Sequence, residues 1–214
     1  MFEIYFLIAG IIFLILEISI YKLVLSVNKK FQWLILEKDE NPKISKYVLE
    51  KFLSHGYDAE LGWVRKPNTE HSENGRDGKV KWTTNNSGAR TNPKFEEMKS
   101  DISCYGDSFS FCRQVNDDET WEHYLSELLK TNVQNFGVGN YGLDQAYLRL
   151  KREYSKNPTK IVMIGVVPDT ISRIISMWKH YSEYGNTLGF KPRFKIHKKN
   201  LELLKNPIDI ETKF

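Results

Sequence analysis

Cysteine is scarce in this chain: its 214 residues contain two, Cys104 and Cys112. Their spacing fits neither a zinc site nor a dithiol redox pair, so no metal set is expected and both read as core thiols. No cofactor is expected either. An excess of one charge is also lacking. The formal charge is +4 with the lysines dispersed. The one basic concentration, KPRFKIHKK around Phe194 and Ile196, reads as a solvated strand edge, and no nucleic-acid partner is expected. There is no internal repeat and no low-complexity tract, which excludes solenoids and long linkers. What is present, 41% hydrophobic and 13% aromatic residues, suffices for an ordinary globular core. The length fits one α/β domain plus a membrane segment or small subdomain, and two full domains would be crowded.

The N-terminus has a different composition. Residues 4–16, IYFLIAGIIFLIL, are uninterrupted apolar, and the run resumes after Glu17 as ISIYKLVL. Together they give about the 20 residues a helix needs to cross a bilayer. No basic stretch precedes the run and no small-residue cleavage site clearly follows it, so residues 1–27 read as a retained anchor that meets the lipid bilayer through residues 4–25. Glu17 would cost about 2.5–3.5 kcal/mol at the bilayer centre and is tolerated away from it, while Lys22 can snorkel to the headgroups. The competing reading is a buried helix of a soluble protein. Lys22, Lys29, Lys30 and Lys38 follow the run, which favours a cytoplasmic globular part.

Residues 28–56 contain YVLEKFL, a short helical pattern expected to link the anchor to the rest. Residues 57–98 are crowded with Gly, Asn, Pro and Thr around short β-like runs, the composition of a β-rich subdomain. From 99 to 214 strands alternate with helices, as in a parallel sheet covered on both faces. DISCYG, NVQNFGV and KIVMIGVV are the expected strands, the last apolar enough to be buried on both faces. Asp117 is positioned to cap a helix with Trp121, Leu125, Leu128 and Leu129 on its apolar face. A second helix places Leu143, Ala146, Tyr147, Leu150 and Tyr154 together, and DTISRIISMW begins a third.

Ligands of an open parallel sheet bind beyond the carboxyl ends of its strands. Those ends fall at Gly106–Ser108, Gly137–Gly142 and Val167–Asp169. Here the chain resembles the SGNH (GDSL-type) hydrolase superfamily, which includes esterases, lipases and carbohydrate O-acyl esterases. YGDSFSFCRQVNDDETWEHYL resembles the family's nucleophile block with Ser108 in the nucleophile's place, and Asn135 to Gln145 resembles its second block. The resemblance covers roughly residues 100–173, while LGWVRKPN and NNSGAR resemble an extension in membrane-anchored branches. It implies an α/β fold, a flavodoxin-like three-layer α/β/α domain with an incomplete parallel sheet, preceded by the β-rich segment and the transmembrane helix. It further implies that Ser108 attacks an acyl carbonyl and that water regenerates it from an acyl-enzyme. The substrate class would be an acylated small molecule or glycan, O-acetyl groups included. Gly106 would let the backbone approach substrate, and the Ser108 N–H would donate to the oxyanion. Gly106, Asp107, Gly139, Asn140 and Asp169 would shape the pocket.

Three positions depart from the family's pattern. Asn140 replaces a glycine, and asparagine is the non-glycine residue that best accepts positive φ. Pro168 replaces an asparagine donor, a loss that costs roughly 3–4 kcal/mol of transition-state stabilisation. None of His55, His71, His123, His180 and His197 has an aspartate three residues before it, as the family's catalytic histidine does. With three strands where such a sheet has about five, the chain is expected to be cut short before that block. An esterase completed by a longer chain is therefore one reading. A non-catalytic membrane-anchored binding or scaffold module is another, and a histidine supplied out of order by His180 or His197 is a third. The plainer roles also stand: Asp107 as a turn cap, His123 as a surface histidine, an Asp169–Arg173 ion pair, and Trp63 and Trp82 as core residues that could otherwise stack on a sugar.

Overall fold

Residues 2–30, 44–75, 78–183 and 185–211 are described by the computed structural model, in two units, Met1–Lys43 and Ile44–Phe214. In the first, the apolar run forms α1 (Phe2–Lys30), which holds the 24-residue apolar span Ile4–Val27 with a mean hydropathy of 2.4 over an 18-residue window. At 1.5 Å per residue this stretch is about 36 Å long, more than the ~30 Å of a bilayer's hydrocarbon core. A helix satisfies its backbone internally, so this one is long and apolar enough to span a membrane. Residues 31–43, with Lys38 of the orientation reading, lie outside the described residues.

The second unit begins with α2 (Lys46–His55), capped by Ser45, whose hydroxyl accepts from the Val48 N–H at 3.3 Å. It lies within the unit that begins at Ile44. Two antiparallel pairs follow, β1 (Tyr57–Asp58) with β2 (Gly62–Trp63), and β3 (Glu70–Asn74) with β4 (Lys79–Thr83). The segment is β-rich as its composition indicated, but it forms no body of its own. Leu61 packs with Val138, Tyr141, Ala146 and Leu148, and Ala89 packs with Tyr105 and Phe136. The Arg90 N–H donates to the Asn135 carbonyl at 2.8 Å, tying the segment directly to a strand of the parallel sheet.

That sheet contains β5 (Ser100–Tyr105), then, after α3 (Ser108–Phe111) and α4 (Trp121–Leu129), β6 (Asn132–Asn135), and, after α5 (Leu143–Tyr154), β7 (Ile161–Ile164). All three strands run parallel in the order β6-β5-β7. Ile102 and Cys104 pack with Val133, and Tyr105 stacks on Phe136 at 5.2 Å, so β5 is buried as its sequence predicts. β7 is not. It lies at the edge, and Ile161 to Ile164 are 53, 36, 37 and 38% exposed. Apolar content marks a strand that a sheet could bury, but the neighbours decide whether it does.

The helical faces also differ from the pattern. Thr120 and not Asp117 caps α4, its hydroxyl accepting from the His123 N–H at 3.1 Å. The Asp117 carboxylate instead accepts from the Thr83 hydroxyl at 2.7 Å and from Arg90 Nε at 2.9 Å. α4 buries Glu122, His123 and Ser126 and leaves Leu128 79% exposed. α5 buries Asp144, Gln145, Ala146, Leu148, Arg149 and Glu153, while Tyr147 and Tyr154 face out. The third helix is a single short turn, α6 (Pro168–Ser172), with Pro168 at its first position where a missing N–H costs nothing. The basic C-terminal stretch forms an antiparallel hairpin, β8 (Arg193–His197) with β9 (Asn200–Leu204).

Candidate active site

Three glycines at the strand ends let α3 sit directly on the sheet. A Cβ at Gly106 would lie 2.1 Å from Ser110 Oγ, one at Gly165 2.3 Å from the same atom, and one at Gly137 2.5 Å from the Phe111 nitrogen. Gly106 thus admits the close approach of α3, a packing role distinct from the one expected for it. Asp107 starts α3: one carboxylate oxygen accepts from the Phe109 N–H at 2.9 Å and the other from Arg173 Nη1 at 3.1 Å. Arg173 also reaches Glu183 at 2.8 Å, so it bonds these two acids and does not form the expected pair with Asp169. At the other end of α3, the buried Arg90 guanidinium donates to the carbonyls of Phe111 and Cys112, both at 2.6 Å, and of Val115 at 2.5 Å. The serine-bearing turn is therefore fastened at both ends by buried arginine contacts.

Ser108 is half-buried and lines a cleft of about 1090 Å³. Gly139 and Asn140 line it too, and Asn140 has φ 69°, a left-handed conformation that asparagine accepts more readily than most non-glycine residues. Among the described residues the Ser108 hydroxyl has no hydrogen-bond partner, and the backbone N–H groups of Ser108, Gly139 and Asn140 donate to no protein acceptor. Residues with a free hydroxyl and free backbone donors thus line one cleft. Of the other expected pocket residues, Gly106 and Asp107 are buried beneath α3, and Asp169 is exposed on α6; none of the three lines the cleft.

The histidines are distributed differently from expectation. His123 is 2% exposed, with Nδ1 2.9 Å from Asn92 Oδ1, so it is a core residue. His180 accepts from the Gly185 N–H at 3.3 Å and stacks on Trp178, while His197 lies 3.5 Å from Glu202 on the hairpin. Neither lines the Ser108 cleft, whereas His55 and His71 do. Trp82 is 4% exposed with His71 and Arg65 against its ring, which makes it a core residue at the cleft wall. Trp63 is half-buried and donates from Nε1 to the Gly139 carbonyl at 3.0 Å, steadying the segment that presents the free N–H groups.

Sequence reasoning missed Arg65 and Arg90, although both stand in the stretches LGWVRKPN and NNSGAR that drew notice. Arg90 is a structural fastener. Arg65 stacks over Trp82 at 4.5 Å and Phe111 at 4.8 Å and lines the cleft. Burial, and next the nearby Arg113, push its guanidinium down to about 10. Both thiols are pushed up, chiefly by burial and then by Glu122, Cys112 to about 12, so neither is an available thiolate at neutral pH. Among the described residues no three His, Cys, Asp or Glu side chains gather as a metal set. Comparison with protein-family models, with curated proteins and with solved structures found no match.

Proposed function

We propose that this protein is a membrane-anchored serine esterase of SGNH-like type, acting on acyl esters, glycan O-acetyl groups among them, through an acyl-enzyme on Ser108. The observation that carries this reading is the grouping of the free Ser108 hydroxyl with the free N–H groups of Ser108, Gly139 and Asn140 in one cleft. Such donors would meet the negative charge that develops on an ester's carbonyl oxygen. In the reaction Ser108 Oγ bonds to the carbonyl carbon, its proton leaves to a base, and the bond to the alcohol oxygen breaks; water then releases the acid. The strand order β6-β5-β7 supports the reading, being the order with which a flavodoxin-like sheet begins. A fluorophosphonate tests it, because a reactive serine displaces fluoride from phosphorus and keeps the adduct. The full chain in detergent is expected to carry the adduct on Ser108 by peptide mass spectrometry, and Ser108→Ala to carry none.

A second reading is favoured by one observation: no imidazole or carboxylate among the described residues is hydrogen-bonded to the Ser108 hydroxyl. A serine without a base is a weak nucleophile. A folded chain that stays unlabelled at Ser108 would establish this protein as a membrane-anchored binding or scaffold module.

A further inference from the structure

Among the described residues, the cleft around Ser108 contains a cation, Arg65, to which no carboxylate is bonded. Arg65 makes no hydrogen bond or ion pair among the described residues, and its Nε is wholly buried without a partner. The acid that could neutralise it is already engaged: Glu73 accepts from Arg113 Nε at 2.9 Å and from Trp82 Nε1 at 3.0 Å. Lys51 also lines the cleft but is exposed to solvent, and the remaining cations are engaged. Lys179 is paired with Glu183, and Lys66 Nζ donates to the Tyr57 carbonyl at 2.7 Å. Arg65 Nη2 lies 3.6 Å from where a Cβ on Gly139 would be, which sets the guanidinium beside the backbone that carries the free N–H groups. A half-buried guanidinium whose Nε is shut off from water without a partner is costly, and its planar fork fits an oxyanion in two parallel hydrogen bonds.

We infer that Arg65 is an anion-binding residue of the Ser108 cleft, and that the ligand is an ester bearing a carboxylate or phosphoryl group beside the scissile bond. The ester part of this statement rests on the esterase reading, whereas the anion subsite does not. The oxyanion lies against Arg65, its position limited by the stacking of the guanidinium on Trp82 and Phe111. Exposed Phe109 and half-buried Trp63 offer apolar surface to the uncharged remainder of the ligand.

Calorimetric titration of the full chain in detergent with succinate, inorganic phosphate and uncharged succinamide tests the subsite. Succinate or phosphate is expected to bind saturably and succinamide not to, with the tighter anion identifying the carboxylate or the phosphoryl class. Arg65→Met should weaken the anion about tenfold or more, and Arg65→Lys less, since it keeps the charge and loses the fork. If neither anion binds, or if Arg65→Met with an unchanged unfolding temperature binds equally well, the subsite does not exist. Should Arg65→Met not fold, the wild-type chain decides: equal affinity for succinate and succinamide overturns the proposal. The titration needs no turnover, so an unlabelled Ser108 beside Arg65-dependent anion binding removes the esterase reading alone. A labelled Ser108 without anion binding removes only the subsite.

Discussion

Glu122 is the residue whose surroundings most alter its chemistry. It sits on the buried face of α4, where Cys112 Sγ approaches one carboxyl oxygen at 3.7 Å and the other oxygen has no partner. Burial pushes its carboxyl from an ordinary glutamate value up to about 8. The folded chain therefore holds a proton there that the unfolded chain releases above about pH 4.5. Stability from this group is full below that pH, falls as pH rises towards 8, and is lost above it, by an amount of about 2–4 kcal/mol. Urea unfolding at pH 5 and pH 9 is expected to show the fall, and Glu122→Gln, which imitates the protonated form, to flatten it. None of this was legible in the sequence, where Glu122 stands among polar residues and reads as solvated. Ser108 and Asn140 drew notice only through a resemblance to a known family, and their place at strand ends is what the local pattern offered.

Among the elements, α4 shows how an apolar stripe can mislead. Trp121, Leu125, Leu128 and Leu129 have helical spacing, yet the helix buries Glu122, His123 and Ser126. The reason is a polar network behind it: Ser126 Oγ donates to the Glu122 carbonyl at 2.7 Å and accepts from the Asn92 side chain at 2.8 Å and the Val133 N–H at 3.1 Å. Those groups need partners more than Leu128 needs cover. Leu128→Lys is thus expected to change stability by less than about 0.5 kcal/mol, and Ser126→Leu to cost about 2–4 kcal/mol, through overpacking and stranded donors. Chemical denaturation of both variants checks the ordering. β7 gives the same lesson for strands, since its apolar run was legible and its place at the sheet edge was not.

For the whole molecule the decisive element is α1. A 24-residue helical span whose only charges are Glu17 and Lys22 is expected to stay with the membrane pellet through alkaline carbonate extraction. Replacing Ile8, Ile12 and Leu16 together with lysine should move the chain to the supernatant, because each cation costs roughly 2.5–3.5 kcal/mol near the bilayer centre. The unit from Ile44 to Phe214 is a different construction, in which the β-rich segment and the parallel sheet share one core.

The sequence by itself determined the features that depend on local chemistry. These are the long apolar helix, the alternation of strands and helices from Ser100, and the place of Ser108 at a strand end. The tertiary structure alone decided what depends on residues distant in the chain meeting. It placed Arg65 beside Gly139 with Glu73 already bonded to Arg113, turned α4 onto its polar face, joined residues 57–98 to the sheet, and left β7 at the edge. A pattern states which side chains prefer burial, but the available room and the neighbouring hydrogen-bond partners are set by contacts that no local pattern contains.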